Sequence, residues 1–314
     1  MNFLPIQQIA ELFRQTLRQS DRLIVAASPG AGKSTVVPHW AATELKGRII
    51  VLEPRRIAAR MAAARINELT GQSDYAGFMV RGEERVGKQT RIVFITEGIL
   101  THMMQDDPEL AGAAAVIFDE FHERSLNCDL NIALALDIQK NLRPDLKLIV
   151  MSATMDLAKV SAFLGDCPVL ESPGKLFPLA VRHEEEQVDY RDLYKICQRR
   201  IGQALRETAG DVLVFLPGLR EIDDLAKLLT YDDLEVLKLH GNLSAAEQQR
   251  AVSRRGKRKI ILSTNVAESS ITIDGVTAVI DSGLERKLEF DPTCGMPQLK
   301  LGPISQASAA QRAG

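Results

Sequence analysis

The sequence predicts an α/β fold made of two tandem domains, each a doubly wound parallel sheet. Short apolar runs alternate with segments of helical period through the first half. Around residues 165–190 the alternation stops at Pro168, Pro173, Gly174, Pro178 and the charged Glu184-Glu185-Glu186, which reads as a linker. It then starts again. The expected boundaries are 1–172 for the first domain, 173–190 for the linker and 191–314 for the second domain.

Taken in order, the N-terminus reads as an amphipathic helix with Ile6, Ile9, Leu12, Phe13 and Leu17 on one face. It lacks the basic start and apolar core of a secretion signal. Leu23-Ile24-Val25-Ala26 is an apolar run of the kind a buried strand shows, and a helix is expected to start near Gly32. Further strands are expected at Arg48–Leu52, Arg91–Thr96, Ala115–Phe118 and Lys147–Ser152, with helices at Ile57–Leu69, Glu97–Met104 and Leu126–Gln139 between them. In the second half, Asp211–Leu216, Leu234–Leu239, Arg258–Ser263 and Thr277–Asp281 read as strands. Glu221–Leu229 and Ser244–Arg254 read as helices, and Arg286–Leu301 as a β-hairpin about a Pro-Thr-Cys-Gly turn.

Composition excludes several classes. The chain has 314 residues, 45% of them hydrophobic and 25% charged, as in an ordinary soluble globular protein. No apolar run reaches the ~18 residues of a membrane span. Cys128, Cys167, Cys197 and Cys294 lack paired spacing, so neither a disulfide framework nor a zinc site is expected and a cytoplasmic setting fits. With a net charge of -2, any nucleic-acid binding must use local basic surface.

The most informative stretch is Ala27-Ser28-Pro29-Gly30-Ala31-Gly32-Lys33-Ser34, followed by Thr35. A strand, a Gly-rich turn and a helix are the context a phosphate-binding loop requires. Gly30 and Gly32 let the backbone curl until its N–H groups point at an anion, and the helix start adds partial positive charge. Lys33 can reach the β- and γ-phosphates of ATP and Ser34 can ligate Mg²⁺. Ala27 stands where such loops normally begin with Gly, the smallest available change. A P-loop also needs a carboxylate for Mg²⁺ and a group to orient water, both at a neighbouring strand end. Ala115-Val116-Ile117-Phe118 ends in Asp119-Glu120-Phe121-His122: Asp119 would bind Mg²⁺ through water, and Glu120, also counted in the Mg²⁺ site, would orient or deprotonate the nucleophile. Acids capping the next helix are the plainer alternative.

Asp119-Glu120-Phe121-His122 resembles the DEAH box of superfamily 2 helicases. Glu53-Pro54-Arg55-Arg56 is similar to that family's motif Ia, Thr96-Glu97-Gly98 to Ib, Ser152-Ala153-Thr154 to III, and Phe215-Leu216-Pro217-Gly218 to IV. Thr264 through Gly275 is similar to motif V, and Gln311-Arg312-Ala313-Gly314 to the start of VI. Together these motifs span nearly the whole chain in the family's order. Phe121 at the third box position, with the early P-loop, makes the chain most like the bacterial HrpB-type ATP-dependent helicases.

The resemblance implies tandem RecA-like domains, ATP bound in the cleft between them, and stepping along single-stranded nucleic acid, RNA rather than DNA on the resemblance alone. It implies backbone contacts from Arg55, Arg56, Thr96, Gly98, Thr264, Asn265, Ser270 and Thr272. His122, Ser152 and Thr154 would couple nucleotide state to the strand-separating surface. Asp274 would approach the ribose or the water site, and Gln311 would position the attacking water. Arg65 would stack on adenine, with Val252 at the opposite position where the family usually has an aromatic ring, implying a loose hold on the base. Physically, Arg65 also suits the polar face of its helix, and Arg55 and Arg56 could be solvated. Two arginines that neutralise γ-phosphate charge are expected past Gly314. Since such groups are worth ~10³–10⁵ in rate, slow hydrolysis at best is expected of these 314 residues. The rivals are an ATP-dependent switch that binds nucleic acid or protein without unwinding, and a small-molecule kinase, which would not need the Thr264–Gly275 domain.

Overall fold

The computed structural model describes residues 4–28, 30–153, 157–172, 178–184, 190–253, 256–268 and 273–313. The chain divides into two compact units, Met1–Leu176 and Phe177–Gly314.

In the first unit a 3-10 turn, Pro5–Ile9, leads into α1 (Ala10–Gln19). There follow β1 (Arg22–Ala27), α2 (Lys33–Glu44), β2 (Arg48–Leu52), α3 (Arg56–Thr70), β3 (Ala76–Val80), β4 (Glu83–Arg85) and β5 (Ile92–Ile95). Then come α4 (Glu97–Asp106), β6 (Ala113–Phe118), α5 (Leu126–Asn141), β7 (Lys147–Ser152), α6 (Leu157–Phe163) and β8 (Val169–Ser172). The eight strands form one sheet in the order β4-β3-β5-β2-β6-β7-β1-β8, with only β4 antiparallel to its neighbour.

Strand alternation sorts the core into two layers. Leu23, Val25, Ile49, Val51, Ile117 and Ile149 face one side, where they pack with Phe13, Trp40 and Ile66 of α1, α2 and α3. Ile24, Ile50, Leu52, Val116, Phe118 and Val150 face the other, against Leu100, Ile132 and Val160 of α4, α5 and α6. A sheet covered on both faces needs near-continuous apolar strands, which is how these runs read.

The second unit opens with α7 (Leu193–Glu207), β9 (Asp211–Phe215), α8 (Leu219–Leu228), β10 (Glu235–Leu239), α9 (Ala245–Val252), β11 (Lys259–Ser263) and β12 (Val276–Asp281). A hairpin of β13 (Leu284–Asp291) and β14 (Met296–Pro303) follows, and then α10 (Gln306–Ala313). The sheet is parallel, in the order β10-β11-β9-β12. One face packs on α7 and α8 through Val212, Val214, Ile260 and Leu262. On the other, the buried Lys259 ammonium donates to the Arg250 carbonyl at 3.1 Å and to that of Ser253, satisfying the last carbonyls of α9. Both sheets are thus wound with helices on two faces, as the alternation predicted. The hairpin root is tied down by Glu221, fully buried, which accepts from Tyr190 Oη and from Arg286 Nη2 at 2.8 Å.

Some expectations need correction. Leu12 is 50% exposed, whereas Ile6, Ile9, Phe13 and Leu17 are buried. Steps of three and four residues keep those four on one stripe, and Leu12, one position from Phe13, is turned about 100° away. Residues 169–172, inside the stretch where the pattern breaks, form β8 and pair with β1. Four residues with alternating burial directly after Pro168 carry too little signal to stand out. β3, β4, α6, α7 and α10 had no sequence-based expectation. Among the described residues no helix is long and apolar enough to cross a membrane.

Candidate active site

The first sheet brings five strand ends to one edge. Ala26 of β1 lies opposite Ser152 of β7, Phe118 of β6 opposite Val150, and Leu52 of β2 opposite both Phe118 and Ile95. The residues that follow these strands therefore converge: the P-loop after β1, Glu53 after β2, Thr96 after β5 and Asp119-Glu120 after β6. Ligands of open parallel sheets bind at this carboxyl edge, where loops and helix N-termini meet.

Gly30 and Gly32 have φ of +71° and +94°, values that favour glycine, and Gly32 caps the start of α2. A Cβ on Gly32 would lie 2.9 Å from Leu4 Cδ1. Lys33 is only 5% exposed and folds back over the loop, its ammonium donating to the carbonyls of Ala27 at 2.7 Å and Ser28 at 3.2 Å. Thr35 Oγ1 donates to the Gly32 carbonyl at 3.3 Å. Ala31 is buried in the core, so it can offer a ligand only backbone. Pro29 lies outside the described residues.

Asp119 is buried, its N–H held by the Leu52 carbonyl at 2.9 Å and its Oδ1 accepting from Glu120 N at 2.8 Å. Burial and the Glu120 charge raise its pKa to about 7, against the opposing pull of the Ser34 hydroxyl and the Lys33 ammonium. Glu53 is fully buried, and burial with the charges of Asp119, Glu120 and Glu123 raises its pKa well above the carboxylate range. Glu120 adopts φ +50° and ψ +36°, the left-handed region, in a non-glycine residue beside the P-loop.

His122 is buried against this cluster. Its Nε2 lies 3.4 Å from Glu120 Oε2 and its Nδ1 accepts from the Ala153 N–H at 3.3 Å. Ser152 is fully buried at the end of β7. The third member of that motif, Thr154, lies outside the described residues.

Asp119 Oδ2, Glu53 Oε2 and Ser152 Oγ are buried with no hydrogen-bond partner. Orphaned buried carboxylate oxygens call for a ligand, and oxygen donors suit Mg²⁺. The residues present therefore fit Mg²⁺ bound with a nucleotide, which the Ser34 hydroxyl and the Asp119 and Glu120 carboxylates would hold.

Arg55 caps the start of α3 and pairs with Glu123 at 3.0 Å, while its N–H donates to Glu53 Oε1 at 3.3 Å. Arg56 opens α3 on its exposed side, and Thr96 caps α4. Gly98 is exposed, with open space where a Cβ would be. Arg65 is on the exposed face of α3, ion-paired with Glu68 at 2.6 Å. Val252 is buried at the end of α9, so its side chain packs in the interior. In the second unit Thr264 follows β11 and caps the 3-10 turn Asn265–Ala267, Asn265 and Asp274 are exposed, and Gln311 is on α10. Ser270 and Thr272 lie outside the described residues.

Three residues went unassigned in the sequence. Glu53 had a readable signal, an acid ending an apolar strand as Asp119 does. Glu268 and Arg312 fall in the stretches similar to motifs V and VI, but neither was given a role of its own. Arg312 Nε donates to Glu268 Oε2 at 2.7 Å and its Nη1 to Asp281 Oδ1 at 3.0 Å, partners 44 and 31 residues away.

Comparison with known proteins identifies the family. Residues 5–163 match the DEAD/DEAH box helicase family and residues 192–314 the helicase conserved C-terminal domain. The chain is 41% identical over 325 aligned residues to ATP-dependent RNA helicase HrpB of Escherichia coli, covering 100% of this chain and 40% of that protein. It is 36% identical over 332 residues to the probable ATP-dependent RNA helicase DHX34 of Homo sapiens, covering 99% of this chain and 29% of that one. The crystal structure of the E. coli DEAH/RHA helicase HrpB superposes with a TM-score of 0.89 at 40% identity, over 99% of this chain and 41% of that one. The chain thus spans well under half the length of these relatives. Its motifs, its paired parallel sheets and these matches make the chain a member of the DEAD/DEAH box helicase family, similar to the HrpB-type helicases.

Proposed function

We propose that this chain is the motor of an ATP-dependent helicase that steps along single-stranded RNA. The observation that carries the reading is the convergence of the P-loop, Asp119-Glu120 and Ser152 at one sheet edge, with Asp119 Oδ2 buried and unpartnered. RNA is chosen over DNA because the relatives are named RNA helicases.

In this mechanism the P-loop N–H groups and Lys33 hold the phosphates, and Lys33 exchanges the Ala27 and Ser28 carbonyls for phosphate oxygens. Ser34, Asp119 and Glu120 would hold Mg²⁺, which would supply positive charge to neutralise the phosphates. Glu120 accepts the proton of the attacking water, and His122 orients that carboxylate through Nε2. Ser152 and Thr154 couple the site to the rest of the sheet edge. Arg55, Arg56, Thr96, Gly98, Thr264, Asn265, Ser270 and Thr272 grip the nucleic-acid backbone, where guanidinium and hydroxyl groups suit phosphate. Gln311 orients water, Asp274 approaches the ribose or the water site, and Arg65 exchanges Glu68 for the base. The domain plan is 1–172, linker 173–190 and 191–314. Four free thiols support a cytoplasmic setting.

The test is single-turnover ATP hydrolysis, which registers even the slow turnover expected of these 314 residues, with and without single-stranded RNA or DNA and with Glu120→Gln as control. Stimulation by RNA above DNA, abolished by Glu120→Gln, is the expected result. ATP binding without any response to nucleic acid favours the switch.

A further inference from the structure

We infer that Arg312 is a positioning residue that couples the nucleic-acid-binding segment of the second unit to Gln311. The inference rests on the helicase reading above and assigns a part to a residue that the reading leaves without one.

The Arg312 side chain is 1% exposed, yet it is charged and sits one residue from Gln311 near the end of α10. A buried guanidinium needs partners for its charge and its donors. Nε meets Glu268 Oε2 at 2.7 Å and Nη1 meets Asp281 Oδ1 at 3.0 Å, while Cζ lies 4.9 Å from the centroid of the Phe215 ring. Each contact belongs to a different element. Glu268 is in the segment from Thr264 to Gly275, four residues past the backbone-contacting Thr264. Asp281 ends β12 and Phe215 ends β9, where the two are paired neighbours in the sheet. The guanidinium plane therefore fastens α10 to the carboxyl edge of the second sheet and to the loop that follows β11.

Directional geometry makes this a link as well as a packing contact. A planar fork that donates to two carboxylates has little freedom to rotate, so a shift of Glu268 is passed to the α10 backbone that carries Gln311. Lysine at 312 offers one ammonium and cannot span both acids in the same fixed geometry. Nucleic acid on the segment containing Glu268 would thus alter the setting of Gln311, and nucleotide at Gln311 would alter the hold on nucleic acid. Linkage requires the two effects to be equal.

The experiment measures that coupling by binding alone. The Kd of a fluorescein-labelled single-stranded oligouridylate is measured with and without saturating Mg²⁺ and a non-hydrolysable ATP analogue, for the wild type, Arg312→Lys and Asp281→Asn. Wild type should show a nucleotide-dependent change in Kd in the range of about 5–150-fold. Arg312→Lys should bring the ratio close to one while the separate affinities for RNA and for nucleotide stay within about twofold, and Asp281→Asn should lower it part of the way. An unchanged ratio in Arg312→Lys overturns the inference, since a purely structural ion pair would lower only the melting temperature. If Arg312→Lys does not fold, an unchanged ratio in Asp281→Asn overturns it and a lowered ratio upholds it. Failure of the wild type to bind RNA or nucleotide overturns the helicase reading itself, a different result.

Discussion

The Ala153 N–H donates to His122 Nδ1 at 3.3 Å, so the imidazole proton of the neutral ring belongs on Nε2, which lies 3.4 Å from Glu120 Oε2. One buried ring thereby joins the end of β7 to the acid proposed to activate water. His122→Ala leaves Glu120 without that donor. ATP turnover should fall by roughly 10²-fold while nucleotide affinity stays within about twofold. Steady-state hydrolysis and a nucleotide titration check this, and an unchanged kcat would remove His122 from the mechanism.

The buried Lys33 ammonium donates to the carbonyls of Ala27 and Ser28. Lys33→Met removes a buried charge whose loss typically costs about 2–5 kcal/mol in binding, or roughly thirtyfold or more in ATP affinity. The carbonyls of Ala27 and Ser28 also lose their donor, so some loss of stability accompanies it. Calorimetric titration with the Mg²⁺ complex of a non-hydrolysable analogue reads the affinity. A shift below threefold would mean that the backbone nest alone holds the phosphates.

Asp119 predicts a pH dependence of the nucleotide-free chain. Its folded pKa of about 7 is above the unfolded carboxylate value of 3.8, so between those values the folded state holds a proton that the unfolded state has lost. This contribution to stability is complete below pH 3.8 and disappears as pH rises through about 7. Glu53 shifts in the same direction. Wild type should therefore lose stability relative to Asp119→Asn on going from pH 5.5 to 8, by an amount on the order of a few kcal/mol. Urea melts of both proteins across that range provide the measurement, and parallel curves would contradict the raised pKa.

Gly32 faces two penalties on substitution. Its φ of +94° disfavours side chains, and an added Cβ meets Leu4 Cδ1 at 2.9 Å. Gly32→Ala should destabilise the first unit by about 1–3 kcal/mol and weaken nucleotide binding, because the loop N–H groups turn away. Gly30, with the same backbone sign but open space at Cβ, should tolerate alanine better in stability. Paired melting curves of the two variants separate strain from contact.

How far the sequence could be read depended on the range of the signal. The strands of the first sheet were legible because burial on both faces makes Leu23–Ala26, Ala115–Phe118 and Leu148–Met151 apolar throughout. The loop of Gly30, Gly32 and Lys33 was legible because phosphate binding constrains neighbours in the chain. β8 was missed for lack of length, and Leu12 was placed on the wrong face because Leu12 and Phe13 both stand at helical spacing from Ile9, at three and four residues.

From local patterns alone came the α/β class, the P-loop and the acids at 119 and 120. Only folding decided which strand ends meet, since register and strand order are set by contacts between residues far apart in the chain, as between Ala27 and Ser172. Folding alone placed Glu53 beside Asp119 with its Oε2 buried and unpartnered, and joined His122 to Ala153. It also buried Arg312 between Glu268 and Asp281, because a charge can leave water only where distant segments supply its counter-charges together.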